Sequence, residues 1–394
     1  MLDEPLIQRL RAETAGCEDL VFFNNAGASL QPRTVVERVI DHLRLEEQVG
    51  GYEAADRVDP ELAHVYDSVA RLLHCSPGEI ALLENSTRAW DMAFYSMRFA
   101  PGDRIVTAAN EYASNYIALL QVAQRTGAQI CVVDSDPSGE VDLEALRRLL
   151  DERVKLIALT HLPTNGGLVQ PAASVGQLAR QAGIPFLLDA TQAVGQVPLD
   201  VDLLGCDMLS ATGRKYLRGP RGTGFLYVRK SMLDQLEPPM LDLHAATWTS
   251  RNQFAIRTDA RKFETWESAA AIRLGLGVAI EYALALGLEW IERRVQGLAA
   301  LLRERLAQLP GVTVHDLGRV RSGIVTFRSN GHSAGDVMQW LRSHGIAVRV
   351  VEGSATLIDM EQRNLDELVR ASVHYYNTQE ELERLCHVLQ ALRG

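Results

Sequence analysis

Only four lysines, Lys155, Lys215, Lys230 and Lys262, stand among the 40 Lys+Arg residues of this chain. Chemistry that needs an amine able to shed its proton, to attack a carbonyl or to carry a proton, therefore has four candidates. Lys155 opens an apolar run, Lys230 follows one and Lys262 lies in the polar run DARKFE, contexts that predict solvated charges. Lys215 lies in SATGRKYLRGPRGTGFLYV, where an apolar run ends in small and hydroxyl residues and the next turn is rich in Gly and Arg. Between Gly205 and Lys230 the basic residues Arg214, Lys215, Arg218, Arg221, Arg229 and Lys230 face a single acid, Asp207. Such a cluster predicts either an anion site or a solvated basic loop.

Upstream, FLLDATQAVG ends an apolar run in Asp189, with Gln192 just beyond. A carboxylate there either meets a ligand at the carboxyl edge of a parallel sheet or caps a helix. LTHLPTNGG brings His161, Thr164 and Asn165 to the equivalent edge, and IALLENSTRAWDMAF runs a strand into a helix through Asn85, Ser86 and Thr87. Backbone N–H groups and hydroxyls at that helix start suit a phosphate, although Ser and Thr there also serve as ordinary caps. No GxxxxGK[ST] occurs, YLRGPRGTG lacks the strand–GxGxxG–helix order, and a nucleotide is not expected. Cys17, Cys75, Cys131, Cys206 and Cys386 are scattered, with no CxxC and no His at zinc-ligand spacing, so neither a metal site nor a disulfide framework is expected. A lysine, a carboxylate, a glutamine and a small phosphate cradle together fit pyridoxal 5′-phosphate (PLP). The amine would bind the aldehyde, the acid would keep the ring nitrogen protonated, and the phosphate would anchor the group.

The elements that must position these residues follow from hydrophobic rhythm. Strands are predicted over 79–83, 104–108, 129–133, 155–160, 185–189, 208–211 and 224–229, with helices over 87–97, 113–125, 142–152 and 173–182 between most of them. That alternation predicts an α/β fold with a mainly parallel sheet. Residues 268–309 read as mostly helical with a turn at 286–287. From about 311 the rhythm changes, predicting strands over 312–315, 323–327, 346–351 and 369–373 and helices over 333–344 and 378–392, a smaller α+β unit. The predicted division is a large domain over 20–290 and a small domain over 291–394, with residues 1–19 packing on the latter and the ligand at the junction. A formal net charge of −10 argues against a general nucleic-acid binder. Charges throughout residues 1–20 argue against a secretory signal, 269–290 is interrupted by Arg273 and Glu281 and reads as a buried helix, and a cytoplasmic protein with no membrane partner is expected.

The string DATQAVGQVPLDVDLLGCDMLSATGRKYLRGPRGTGFLYVRK strongly resembles the class V aminotransferase group of PLP enzymes, which includes cysteine desulfurases, isopenicillin-N-epimerase-like proteins and carbon–sulfur lyases. FFNNAGASLQP, LTHLPTNGG and VRASVHYYNTQEEL resemble further blocks of that family in the same order, so the resemblance spans nearly the whole chain. EEQVGGYEAAD and EYASN resemble most the lyases acting on cysteine S-conjugates, such as hercynylcysteine sulfoxide lyases. The resemblance implies PLP-dependent transferase fold type I, with the seven-stranded, mainly parallel sheet in the large domain. It implies that Lys215 forms the Schiff base, Asp189 holds the pyridine nitrogen and Gln192 meets the phenolic oxygen. Ser86, Thr87, Thr212 and Arg214 would hold the phosphate, and Thr164 and Asn165 would border the cofactor. Arg370 would grip the substrate carboxylate by a bidentate pair, with Asn25 and Tyr52 facing the substrate. Tyr112 matches the block that supplies a stacking ring or general acid, although the alignment equally places Ala113 there. Tyr52, Trp248 and Arg257 are candidates for pocket selectivity.

Two departures from the family pattern bear on the reaction. Where desulfurases carry a reactive cysteine, RVVEGSATLIDMEQRN has none, and Cys386 in LERLCHVLQAL has core spacing. FETWESAAA puts Glu267 where the family often has a threonine that reaches the partner subunit's phosphate, and a carboxylate cannot donate that bond. The expected function is β-elimination from a cysteine S-conjugate or its sulfoxide by a PLP-dependent lyase that is typically homodimeric. An aminotransferase or amino-acid epimerase shares the early steps and stays open, while a desulfurase using a persulfide cysteine is disfavoured.

Overall fold

Apolar runs too long to alternate with polar residues have to be covered on both faces, and the strands they form make the central sheet of this protein. They are β1 (Ile80–Leu83), β2 (Arg104–Ala108), β3 (Gln129–Val133), β4 (Val154–Thr160), β5 (Phe186–Asp189), β6 (Met208–Thr212) and β7 (Gly224–Val228). In the computed structural model, which describes residues 4–392, they build one seven-stranded sheet in the order β1-β7-β6-β5-β4-β2-β3. From β6 to β3 every neighbour is parallel, and β7 alone runs antiparallel to both its partners. The mainly parallel sheet expected from the sequence is thus present. β5, β6 and β7 are buried at every position.

Register decides what this sheet can present. Thr160 lies opposite Asp189, and Asp189 opposite Ser210, so β4 and β5 finish level with one another and β6 runs on beside them to Thr212. The segments that follow β1 and β2 leave from the same edge. There the helix Ser86–Phe94 begins, capped by Asn85, whose side chain accepts from the Arg88 N–H at 2.9 Å. Ala113–Thr126 starts beside it, directly after Tyr112.

Most element boundaries moved by a residue or two, each with a local cause. Glu79 is not in β1: it closes the short turn Pro77–Glu79, where its carboxylate accepts from the Ser76 N–H at 3.0 Å. The helix expected over 142–152 spans Leu143–Leu149, with Asp142 outside it as cap. The helical stretch near 268–309 is two helices, Ala270–Leu286 and Leu288–Gln308, bent by 81° at Gly287, whose φ of +85° suits glycine. The first packs against Arg33–Val49 and Asp59–Leu73, helices that the sequence reading did not assign. The second packs against the C-terminal unit.

That unit is an antiparallel sheet of β8 (Val312–Val314), β9 (Ile324–Ser329), β10 (Arg349–Glu352) and β11 (Glu367–Ser372), in the order β8-β9-β11-β10. Helices Ala334–Ser343 and Gln379–Ala391 accompany it. The strand expected over 346–351 is divided: Ile346–Ala347 pairs in parallel with Val21–Phe22, and the chain then enters β10. Ahead of Val21, Arg11 donates to Glu381 Oε1 at 2.7 Å and to the Tyr376 carbonyl at 3.0 Å. An exposed hairpin, Ala246–Ser250 with Gln253–Ile256, was also missed by the sequence reading.

Candidate active site

The strand ends at this edge of the sheet surround a cavity of about 530 Å³ lined by Ser86, Thr87, Tyr112, Asp189, Gln192 and Lys215, among others. Lys215 arrives from the turn after β6 and is 9% exposed. Burial, reinforced by Arg214 and Arg370 and opposed by Asp189, lowers its pKa from 10.5 to about 7. A large fraction of this amine is therefore neutral at physiological pH. The other lysines have no such setting. Lys155 donates to the Glu152 carbonyl at the surface, and Lys230 is exposed. Lys262 corrects the sequence reading: it is buried, and its Nζ donates to the carbonyls of Leu233 and Leu236.

Asp189, at the end of β5, is buried and accepts at both oxygens, from Asn115 Nδ2 at 2.8 Å and from the Thr191 N–H at 2.9 Å. Behind it, Glu111 is buried and accepts from Thr107, Asn115, the Tyr112 N–H and both donors of Thr160. Burial pushes its carboxyl above the ordinary range. Glu111, Asn115 and Thr160 were not singled out in the sequence; the only available signal was the i, i+4 spacing of Glu111 and Asn115 at a helix start.

Gln192 donates to the Ala26 carbonyl at 3.1 Å and to Thr164 Oγ1 at 3.4 Å, while its Oε1 is buried without a partner. Arg370, on β11 of the C-terminal sheet, donates to Thr164 Oγ1 at 2.5 Å and to the Thr164 carbonyl at 3.3 Å, leaving its buried Nε unpartnered. Thr164 thereby touches both. Asn165 lies behind the cavity wall and donates to the Glu352 carbonyl at 3.0 Å. His161 is likewise buried behind the wall, its pKa lowered to about 4 by desolvation, so the ring is neutral at pH 7.

At the opposite end, Ser86 bonds the hydroxyls of Thr191 and Ser210, Thr212 donates to the Thr223 carbonyl at 3.0 Å, and Arg214 donates to the Gly27 carbonyl. Thr87 and Arg221 complete that wall. A helix start, three hydroxyls and two guanidinium groups make a phosphate end. PLP therefore fits on this protein's own terms: a half-neutral amine, a buried carboxylate for a ring nitrogen, an unpartnered amide oxygen beside them and an anion cradle. Tyr112 lines the same cavity, whereas Ala113 begins the helix and does not.

Two expected substrate residues are not brought in. Asn25 is fully buried and spent on structure, donating to the Ser372 carbonyl at 2.7 Å and accepting from Tyr376. Tyr52 is 72% exposed and lines a separate surface groove with His244 and Trp266. Trp248 stands exposed on the hairpin, Arg257 is paired with Asp259, and Glu267 is exposed at the rim of the groove that holds Tyr52.

Comparison with known proteins gives the same picture. A probable cysteine desulfurase of Xylella fastidiosa is 31% identical, the alignment covering 99% of this chain and 94% of that one. The structure of a cysteine desulfurase from Thermococcus onnurineus superposes with a TM-score of 0.91 at 26% identity, over 98% of this chain and 97% of that one. At the level of fold alone, C-DES, solved with glycine covalently linked to its PLP, superposes with a TM-score of 0.86 at 22% identity, over 96% and 98% of the two chains. The description "Aminotransferase class-V" matches residues 21–385. Because that match takes in both sheets and every wall of the cavity, the chain belongs to the class-V aminotransferase family, and its cofactor is pyridoxal 5′-phosphate.

Proposed function

We propose that this PLP enzyme cleaves the carbon–sulfur bond of a cysteine-derived amino acid by β-elimination, letting the sulfur substituent leave directly. The observation that carries the reading is the position of the five cysteines. None lines the cavity, and burial pushes four of their thiols up, Cys17 and Cys386 to about 11 and Cys75 and Cys206 to about 12. A thiol held that high is not a thiolate at neutral pH and accepts no sulfur. Elimination needs no protein acceptor.

When bound, PLP supplies an electron sink that makes the substrate's α-hydrogen acidic. Arg370, whose buried Nε is free, holds the substrate carboxylate and so turns the α-carbon toward Lys215. Lys215, its pKa near 7, takes the α-proton as the substrate amine occupies its place. The Cβ–S bond then breaks with its electron pair leaving on sulfur, and Tyr112, which lines the cavity, protonates that sulfur. Hydrolysis of the remaining three-carbon fragment yields pyruvate and ammonia.

The names of the relatives favour a second reading, cysteine desulfurase. The two differ in their carbon product, since sulfur transfer to an acceptor leaves alanine and elimination leaves pyruvate. Cysteine and S-substituted cysteines, offered with and without added keto acid, should give pyruvate without keto acid and no persulfide on any of the five cysteines by mass spectrometry. Alanine with a protein persulfide would overturn the elimination reading. A homodimer is part of the proposal, supported by the exposed apolar side chains around Tyr52.

A further inference from the structure

Behind the cavity lies a carboxylate that no step of the reaction touches. Glu111, in the turn between β2 and the helix Ala113–Thr126, is 3% exposed and lies outside the cavity lining. Its Oε1 accepts from the Tyr112 N–H at 2.9 Å, from Asn115 Nδ2 at 2.9 Å and from the Thr160 hydroxyl. Its Oε2 accepts from the Thr107 hydroxyl at 3.0 Å and from the Thr160 N–H at 3.1 Å. Each oxygen faces at least one N–H, which cannot accept, so the ionised carboxyl is the form that satisfies all five donors.

Holding that charge is costly. Burial opposes it, and so does the like charge of Asp189. All five donors are neutral, and they offset the cost together with the start of the helix. A tie between β2, β4 and the helix needs the bonds but not a full charge, which is expensive to bury. The charge itself acts on what stands in front of it, and two routes lead there. The same Asn115 nitrogen that meets Glu111 donates to Asp189 Oδ2 at 2.8 Å. Thr160, which gives Glu111 both its donors, stands directly opposite Asp189 in the β4–β5 ladder. Asp189, Asn115 and Thr160 all line the cavity, so Glu111 stands one layer behind the carboxylate that meets the ligand.

We propose that Glu111 is a positioning residue for the cofactor: through Asn115 it fixes the Asp189 carboxylate and sets a second negative charge behind it, so that the ring nitrogen of PLP keeps its proton. The inference takes Asp189 as the partner of that nitrogen and is independent of the reaction that follows. A ring that stays protonated is the stronger electron sink, and Glu111 contributes to it without touching the cofactor.

The test uses holoenzyme reconstituted with PLP isotopically labelled at its ring nitrogen, whose NMR resonance separates the protonated from the bare form. Glu111→Gln keeps the shape and removes the charge, whereas Glu111→Asp keeps the charge and shortens the reach. In Glu111→Gln the resonance should move toward the bare form, the nitrogen losing its proton at a pH about one unit lower or more, and PLP should bind about tenfold more weakly. Glu111→Asp should stay closer to wild type in both. Where Glu111→Gln does not fold, Glu111→Ala, in which water can meet the freed donors, is read in the same way. An unmoved resonance in the neutral variant would overturn the proposal, and so would equal displacement by Glu111→Asp, which would make Glu111 a structural tie only. Asp189→Asn should move the resonance further than either. A resonance that Asp189→Asn leaves in place would overturn the proposal together with the assignment of Asp189, whereas movement in Asp189→Asn alone would remove Glu111 and leave that assignment standing.

Discussion

Burial and two flanking guanidinium groups push Lys215 in the same direction, and the consequence can be followed with pH. In the apoprotein its pKa is about 7 against 10.5 for an ordinary lysine, so the folded state binds fewer protons than the unfolded one between those values. Stability must then rise with pH across that window, and below pH 7 the full cost of burying the ammonium is present, roughly 5 kcal/mol at most. Apo Lys215→Met should melt higher than apo wild type at pH 6, with the gap closing toward pH 10. A gap independent of pH would refute the burial argument. Lys215→Ala should also abolish the visible absorption of the lysine-bound cofactor, and an unchanged spectrum would place the cofactor on another residue. Asn115 carries a different load, since one Nδ2 lies 2.9 Å from Glu111 and 2.8 Å from Asp189. Asn115→Leu strips a shared donor from two buried carboxylates. It should cost about 2–3 kcal/mol of stability and weaken PLP binding, checked by thermal denaturation and PLP titration; unaltered affinity would show that Asp189 is held by the Thr191 N–H alone.

At the scale of elements, the site depends on turns that bring strand ends together. Gly195 has φ +87°, and a Cβ there would lie 2.4 Å from the Tyr216 carbonyl carbon and 2.5 Å from the Leu217 nitrogen. The turn after β5 is thereby packed against the backbone that carries Lys215. Gly195→Ala has to displace that backbone, and a fall of several degrees in Tm with slower or weaker PLP uptake is expected; normal uptake and Tm would mean that the two turns move independently. The residues legible in the sequence were those whose position follows from a strand end: Asp189, Gln192, Thr212 and Lys215 all come within a few residues of a buried apolar run. What was not legible depends on distant pairing. Asn25 was expected at the substrate from the family resemblance, and nothing local shows that it will be taken up by Ser372 and Tyr376, about 350 positions away. Lys262 looked solvated because DARKFE is polar, yet the carbonyls it caps belong to Leu233 and Leu236. The helices between residues 33 and 73 earned no assignment because their apolar stripes are broken by charges that face solvent.

The whole molecule is tied at its centre and open at one surface. Arg218 is buried three residues after Lys215 and donates to Thr14 at 2.6 Å, to the Leu30 carbonyl at 2.7 Å and to the Tyr375 hydroxyl at 2.7 Å. One guanidinium thus holds the N-terminal segment, the lysine turn and the stretch that follows β11 together. The surface is the reverse case. Leu43, Tyr52 and Trp266 are exposed around one groove of about 720 Å³, with Glu46, His244 and Arg261 on its walls. Large apolar side chains clustered in this way on a protein's surface mark an interaction surface. A second copy of the chain is the occupant that the proposed homodimer requires, and Tyr52 would then meet the partner instead of its own cavity. Light scattering of the holoenzyme should give twice the 43.5 kDa of one chain. Leu43→Glu combined with Trp266→Glu places like charges in the groove and should return the mass to that of a single chain, because an unpaired buried carboxylate costs more than an interface of ordinary strength supplies per side chain. A wild-type protein that is monomeric and fully active would remove the dimer from the proposal, and the groove would need another occupant.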